Sequence, residues 1–317
     1  MDGQVFVSGG TGFLGKILLL TAEREGWDAT FTVYSRDENK QARIKARFPK
    51  VRAILGDIRD RDRLTAAMAG HEIVIHAAAM KHIPRGEYQP SECLDVNVIG
   101  SRNVILAARD THPRVVLGIS TDKACEPRNA YGLSKAFMER LWWEAAADIP
   151  QTLFTLVRYG NVVGSTLSVI PVFRQQLIKL GHVQVTHPNM TRFWMSPQMV
   201  VDTIHAGLKQ PDGTTFIPRI PAMTVLDLVR AVTPNAHVEI TSPRPGEKMH
   251  ETLITEYEQR FAHENPEGFL LYPTTSDPVE PLPLAGEAYT SNSARKLDIF
   301  TLQDWIVQAD AVESEFS

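Results

Sequence analysis

Short apolar runs recur along the first half of the chain, each ending in glycine or polar residues and each followed by a stretch with helical spacing. The runs at residues 5–8, 30–34, 52–55, 72–76, 115–120 and 154–158 have the length and apolar continuity of buried strands. Residues 16–24, 60–69, 90–108 and 130–147 are predicted helices. Beyond residue 165 the alternation loses its regularity. Helices are expected at 170–180, 197–208 and 224–231, strands at 215–220 and 238–241, and a further helix is entered through residues 244–251. Residues 264–283 are proline-rich and expected to be loop, and residues 297–308 close the chain as a docked segment.

Strands alternating with helices imply a parallel sheet covered on both faces. The predicted fold class is therefore α/β, a Rossmann-type doubly wound parallel sheet with a smaller C-terminal lobe. The expected division is residues 1–165 for the sheet domain and residues 166–317 for the lobe, with some lobe segments returning to the main sheet. A chain of 317 residues, 43% hydrophobic and 22% charged, is globular and long enough for this. A formal net charge of −4 leaves no nucleic-acid footprint, so an anionic substrate must be held by local Arg and Lys. The two cysteines, Cys93 and Cys125, argue against a disulfide framework and for a reducing compartment. Neither has metal-ligand company, so no metal is expected, and Cys125 is predicted to fill space. No stretch is long enough to span a bilayer, and no basic region precedes the first strand as in a signal peptide. A cytoplasmic protein is expected.

The chemistry sits where predicted strands end. The first is followed by Gly9-Gly10-Thr11-Gly12-Phe13-Leu14-Gly15. Missing side chains at 9, 12 and 15 permit a tight turn and let backbone amides approach a pyrophosphate at a helix amino terminus. The second ends in Tyr34-Ser35-Arg36-Asp37, with Lys40 close by. Ser35, Arg36 and Lys40 suit the 2′-phosphate of NADP because all donate hydrogen bonds, while Asp37 retains reach to a free ribose. NADP is the expected cofactor. Asp57 and Ile58 offer a carboxylate and a backbone amide to adenine, and Ala77, Ala78 and Ala79 let backbone lie close to the cofactor. Lys81 and His82 either point into the site or are ordinary loop polarity. Asn97, inside a helix, needs partners and is expected to brace that loop.

The fifth strand closes in Ser120, Thr121, Asp122 and Lys123, at the sheet edge where open α/β folds place ligands. Tyr131 and Lys135 follow on one helix face. An ammonium beside a phenol favours the phenolate, so Tyr131 is expected to have a lowered pKa and to accept a proton from a sugar hydroxyl. The lobe carries Arg192, Arg219, Arg244 and Lys248, and bidentate arginines suit a nucleoside diphosphate. Trp194 either covers a pyrimidine or fills core, with core favoured.

These segments, with Arg158-Tyr159-Gly160-Asn161-Val162-Val163-Gly164-Ser165, Phe216-Ile217-Pro218-Arg219-Ile220-Pro221 and Arg244-Pro245-Gly246-Glu247-Lys248, resemble the soluble, inverting UDP-N-acetylglucosamine 4,6-dehydratases. That family is the polysaccharide-biosynthesis branch of the extended short-chain dehydrogenases/reductases. Asp122-Lys123 after Thr121 is the inverting pattern; retaining relatives carry Asp-Glu there. Two departures stand out: Cys125-Glu126 where the family has small or amide residues, and Thr166-Leu167 in place of Arg-Gly. The resemblance implies that Tyr131, with Lys135 and Thr121, takes the 4-hydroxyl proton, Lys123 takes the proton at C5, and a protonated Asp122 assists loss of the 6-hydroxyl. A proton returned from the opposite face inverts C5, giving a UDP-4-keto-6-deoxy-L-hexosamine. It also implies substrate contacts from Lys81, His82, Asn161, Arg192, Arg219, Arg244 and Glu247, and a homo-oligomer, dimer or hexamer. A sugar-nucleotide epimerase or oxidoreductase on this scaffold is the alternative. A non-enzymatic NADP-binding regulator would have no use for the Tyr131–Lys135 and Asp122–Lys123 pairs.

Overall fold

The computed structural model describes residues 1–165, 168–243, 246–277 and 287–316. Arg244 and the Thr166-Leu167 departure lie outside them. The main-sheet strands are β1 (Gly3–Ser8), β2 (Ala29–Ser35), β3 (Arg52–Leu55), β4 (Ile73–His76), β5 (Val115–Thr121), β6 (Leu153–Tyr159), β7 (Thr215–Pro218), β8 (Ala262–Asn265) and β9 (Gly268–Leu271). Their order is β8-β9-β7-β6-β5-β4-β1-β2-β3. Seven strands, β7 through β3, pair in parallel, and β9 and β8 add an antiparallel hairpin at the β7 edge. Growth of the sheet reverses between β1 and β4. At that switch point the turn after β1 and the loop after β4 open a crevice for a ligand.

Apolar side chains fill both faces of the central strands. Val5, Phe6 and Val7 of β1, Val116 and Leu117 of β5, and Phe154, Leu156 and Val157 of β6 are all buried. Each such side chain contributes roughly 1.5–3 kcal/mol on leaving water, which fixes strand register strongly. The covering helices are α1 (Phe13–Glu25), α2 (Glu38–Arg47), α3 (Arg61–Met68), α4 (Ile83–Tyr88), α5 (Pro90–Leu94), α6 (Gly100–Thr111), α7 (Ala130–Asp148), α8 (Val169–Leu180), α9 (Pro197–Gly207), α10 (Val225–Val232) and α11 (Ile299–Ser314). Side chains cap many of them: Asp37, Asp60, Asn129, Ser196, Thr224 and Asp298 each accept from a first-turn amide. The predicted helix 90–108 divides into α5 and α6 around a π-helical turn, Asp95–Ile99, which carries Asn97.

Two expectations beyond residue 240 are corrected. Residues 246–251 form no helix, because Gly246 turns the chain at φ +72° and buried Lys248 and Glu251 reach inward. An extended segment, Thr252–Ile254, follows and pairs with Tyr289–Thr290. Part of the expected loop at 264–283 is instead β9 and the end of β8, while residues 278–283 lie outside the described residues. Phe269, Leu270 and Leu271 are buried against the sheet, and that apolar run outweighs the prolines after it. The last helix, α11, is tied across the molecule by Lys16–Glu313 (2.7 Å), Arg47–Glu315 (2.8 Å) and Arg174–Asp310 (3.0 Å). Among the described residues no helix is long and apolar enough to cross a membrane.

Candidate active site

The turn after β1 packs directly on the strand-end loop after β4. Gly9 sits at φ +70°, and a Cβ there would lie 2.8 Å from the Ala78 backbone. Gly12 caps α1 with no side-chain bond, so the first amides of a 13-residue helix face the crevice without a side-chain acceptor. Thr11, Phe13 and Gly15 are buried, while Leu14, Ala77, Ala78 and Ala79 keep some exposure. The cradle fits a dinucleotide pyrophosphate, because only backbone can approach so closely and the helix terminus favours an anion.

At the end of β2 the charges are already paired among themselves. Asp37 turns its carboxylate onto α2, accepting the Lys40 amide at 3.0 Å, and Lys40 Nζ stays near the same carboxylate at 3.4 Å. Arg36 is exposed and lies 3.5 Å from Asp57, which also holds Arg59 at 2.7 Å. Ser35 accepts from Gln41 at 3.1 Å, leaving its hydroxyl proton free to donate elsewhere. Ile58 is buried beneath Gly100.

Asn97 braces the loop after β4. Its Oδ1 accepts the Met80 amide at 2.7 Å, and its Nδ2 donates to the Met80 carbonyl at 2.9 Å and to Ser134 at 2.9 Å. Beside it, His76 is buried between Ser8 and Ser101, at 2.7 and 2.9 Å, and stacks on Trp142. In the same loop Lys81 is exposed. His82 is spent on capping, its Nδ1 accepting the Arg85 amide at 3.2 Å.

The end of β5 runs into a single turn, Asp122–Ala124, and then α7. Gly132 lets that helix lie against the Lys123 backbone, which brings Thr121, Asp122, Lys123 and Tyr131 together. Thr121 hydrogen-bonds Tyr131. The expected lowering of the phenol pKa is not what the environment gives. Burial pushes Tyr131 up to about 12, against the Lys123 charge and the Thr121 hydrogen bond, which pull it down. Lys135 is buried, pushed down to about 8 by that burial against the charges of Glu139 and Cys93, and its Nζ donates to Met138 Sδ at 2.7 Å. The cation that acts on the phenol is therefore Lys123.

Asp122 is wholly buried. Its Oδ1 accepts from Thr121 and Lys123, both at 2.9 Å. Burial and the Glu251 charge raise its pKa, while Lys123 and Thr121 oppose them. Lys123 also lies 3.5 Å from Glu251. Burial works against its ammonium, but Asp122 and Glu251 outweigh it and hold the proton more tightly than usual. Glu251 continues the row to Arg192 at 3.8 Å, and Arg192 lies 3.6 Å from Glu247. The sequence argument missed Glu251; its one signal was a carboxylate just before the apolar run Leu253-Ile254. Behind this row Arg158, also buried, bridges Glu139 at 2.6 Å and Glu258 at 2.9 Å. Glu139, in turn, accepts from Ser120 at 2.5 Å. Cys125 does more than fill space: its Sγ lies 3.0 Å from Arg158, and its carbonyl accepts from Lys248 at 2.6 Å.

The remaining substrate-side candidates separate. Asn161 is half-buried and donates to the Phe193 carbonyl at 3.1 Å. Arg219 is drawn away to the β8–β9 hairpin, where it pairs with Glu264 and covers the Phe269 ring. Trp194 is core, with an unpartnered indole nitrogen. Among the described residues no cluster could hold a metal.

A doubly wound sheet with a glycine cradle at its switch point, and Thr121, Tyr131 and Lys135 beside it, defines a Rossmann-type protein of the dehydrogenase/reductase kind. A family model described as polysaccharide biosynthesis protein matches residues 5–272, and the chain belongs to that family. It is 40% identical over 268 residues to a Campylobacter jejuni protein named UDP-N-acetylglucosamine 4,6-dehydratase (inverting), covering 82% of this chain and 80% of that one. It is 32% identical over 335 residues to a Rickettsia massiliae protein named UDP-glucose 4-epimerase, covering 99% and 98%. Pen from Bacillus thuringiensis superposes with a TM-score of 0.87 at 33% identity, covering 98% of each chain.

Proposed function

We propose that this chain is a UDP-N-acetylglucosamine 4,6-dehydratase that inverts C5, a lyase using NADP catalytically. The observation that carries the reading is the buried Asp122–Lys123 contact of 2.9 Å beside Tyr131. A 4-epimerase needs a base for one hydroxyl; it has no use for an acid and an amine buried next to it. An identity of 40% to a protein named as such a dehydratase supports the same choice.

Gly9, Thr11, Gly12, Phe13, Leu14 and Gly15 would hold the pyrophosphate, Ser35, Arg36 and Lys40 the 2′-phosphate, Asp57 and Ile58 the adenine, and Ala77 to Ala79, Lys81, Tyr131 and Lys135 the nicotinamide half. Bound there, the nicotinamide would accept hydride from C4 and give it back to C6. Tyr131, as phenolate, takes the 4-hydroxyl proton, with the Thr121 hydroxyl hydrogen-bonded beside it and Lys123 supplying nearby positive charge. Once C4 is a ketone, the C5 proton is acidic. Lys123 takes it as the amine, after giving up the proton that Asp122 and Glu251 help it hold, and Asp122 as free acid protonates the departing 6-hydroxyl, which leaves as water. Tyr131 then returns its proton to C5 from the opposite face. Lys123 is left as ammonium and Asp122 as carboxylate, and one proton moved across their contact restores both. Protons therefore balance over the cycle without a solvent donor.

Arg192, Asn161, Glu247 and Arg244 are assigned to the substrate, with Lys81 and His82 at the mouth and Arg219 in a supporting place on the hairpin. Residues 1–165 act as the cofactor domain and 166–317 as the substrate lobe. Leu133 and Phe137, exposed on α7, support a homo-oligomer, and two buried free cysteines suit a reducing, cytoplasmic setting. The test is Lys123→Ala, which should abolish formation of the 6-deoxy product and leave NADP binding intact. Dehydration that survives it contradicts the base assignment.

A further inference from the structure

We infer that Glu251 is a positioning residue for the dehydration step, serving as the counter-ion of Lys123 so that Asp122 is free to act as an acid. The inference rests on the dehydratase reading above. Asp122 cannot fill two roles at once. If it were the sole anion facing Lys123, it would have to stay ionised to balance a buried ammonium. The pair would then rest as carboxylate and ammonium, with the acid already spent. A second buried carboxylate balances the ammonium in its place, so that Asp122 can keep its proton.

The geometry provides one. Lys123 Nζ lies between Asp122 Oδ1 at 2.9 Å and Glu251 Oε1 at 3.5 Å. Asp122 Oδ2 and Glu251 Oε2 are both buried with no hydrogen-bond partner. Two unfilled carboxylate oxygens flanking one amine are costly in a folded core, and such atoms mark a place where a ligand or a moving proton completes the site. Glu251 is held firmly there. Its amide donates to Ser291 Oγ at 2.9 Å, its carbonyl accepts the Ser291 amide at 2.8 Å, and Ser291 is tied to Thr191 at 2.6 Å. Three chain segments thus fix one carboxylate against the end of β5. The charges facing it are Lys123 and Asp122 from that strand end, Arg192 from Thr191–Met195, and Lys248 from its own loop. The Glu251 charge raises the proton affinity of both Asp122 and Lys123.

Glu251→Gln keeps the shape and removes the charge. In the full-length enzyme with UDP-N-acetylglucosamine, kcat for 6-deoxy product should fall on the order of 10²-fold, the scale of a general acid–base contribution, with KM little changed. The alkaline limb of the kcat profile, where Asp122 loses its proton, should move to lower pH. Glu251→Asp should bring the limb back toward its wild-type position while recovering part of kcat. A merely structural Glu251 would give a Gln enzyme whose limb does not move, and that result overturns the inference. Wild-type enzyme that makes no 6-deoxy sugar would instead overturn the dehydratase reading and this inference with it.

Discussion

Arg158 and Glu258 meet at 2.9 Å with both side chains almost completely shut off from water. Arg158 closes β6 of the sheet, Glu258 belongs to the C-terminal half, and Glu139 of α7 grips the same guanidinium at 2.6 Å. Two carboxylates on one buried arginine bind the segment before β8 to the back of the active site. Removing the arginine strands both carboxylates. Arg158→Met should cost about 3–5 kcal/mol of unfolding free energy. Denaturant midpoints of the variant and wild type at neutral pH check this.

Much of this arrangement is visible in the chain before folding, and the parts that are not share a cause. The strands β1 to β6 declare themselves because each is a continuous apolar run with glycine or polar residues at its end. The cradle from Gly9 to Gly15 is local in sequence, and so are Thr121 to Lys123 and the Tyr131–Lys135 pair. Glu251 and Glu258 are not legible in the same way. Each is an ordinary acidic residue until the fold brings it beside Lys123 or Arg158, a hundred positions or more away. The phenol shows the same limit. Helical spacing places Lys135 on the face of Tyr131, but burial and the Lys123 charge, both tertiary effects, decide its proton affinity. Arg219 was a fair candidate by residue type, and only the β8–β9 hairpin explains why it turns aside.

His76 makes folding sensitive to acid. Burial, with the Lys135 charge adding to it, pushes its pKa down from 6.5 to about 3. The unfolded chain therefore binds a proton that the folded protein refuses between those values. Stability is fully present above pH 6.5 and falls as pH drops toward 3, by up to about 1.4 kcal/mol per pH unit from this group. Urea unfolding measured across that window should show the slope, and His76→Gln should flatten it.

The cofactor assignment turns on Arg36, whose guanidinium is exposed at the end of β2 while Asp37 is occupied in capping α2. A charged hydrogen bond to the 2′-phosphate contributes about 1.5–3 kcal/mol. Arg36→Ala should weaken NADPH binding roughly 10- to 100-fold and leave NADH binding nearly unchanged, as read by fluorescence titration. Equal losses for both cofactors would contradict the assignment to NADP.

In the proposed mechanism Thr121 supports the phenolate at Tyr131, whose pKa of about 12 is set mainly by burial. Because the base form is needed, activity should rise with pH on the acid side of the profile. Thr121→Val removes a hydrogen bond that favours the phenolate, so that limb should move up by about 1–2 pH units. Rate profiles of kcat/KM for the two enzymes provide the comparison.

Proton NMR of the purified enzyme with UDP-N-acetylglucosamine in heavy water tests inverting 4,6-dehydration most directly. The expected product carries a new C6 methyl group and L-configured couplings. Deuterium enters C5 because the Tyr131 proton comes from the exchangeable 4-hydroxyl. A methyl group with retained configuration at C5 would contradict the inversion and the role given to Lys123. A 4-epimer with its 6-hydroxyl intact would contradict the dehydratase account itself.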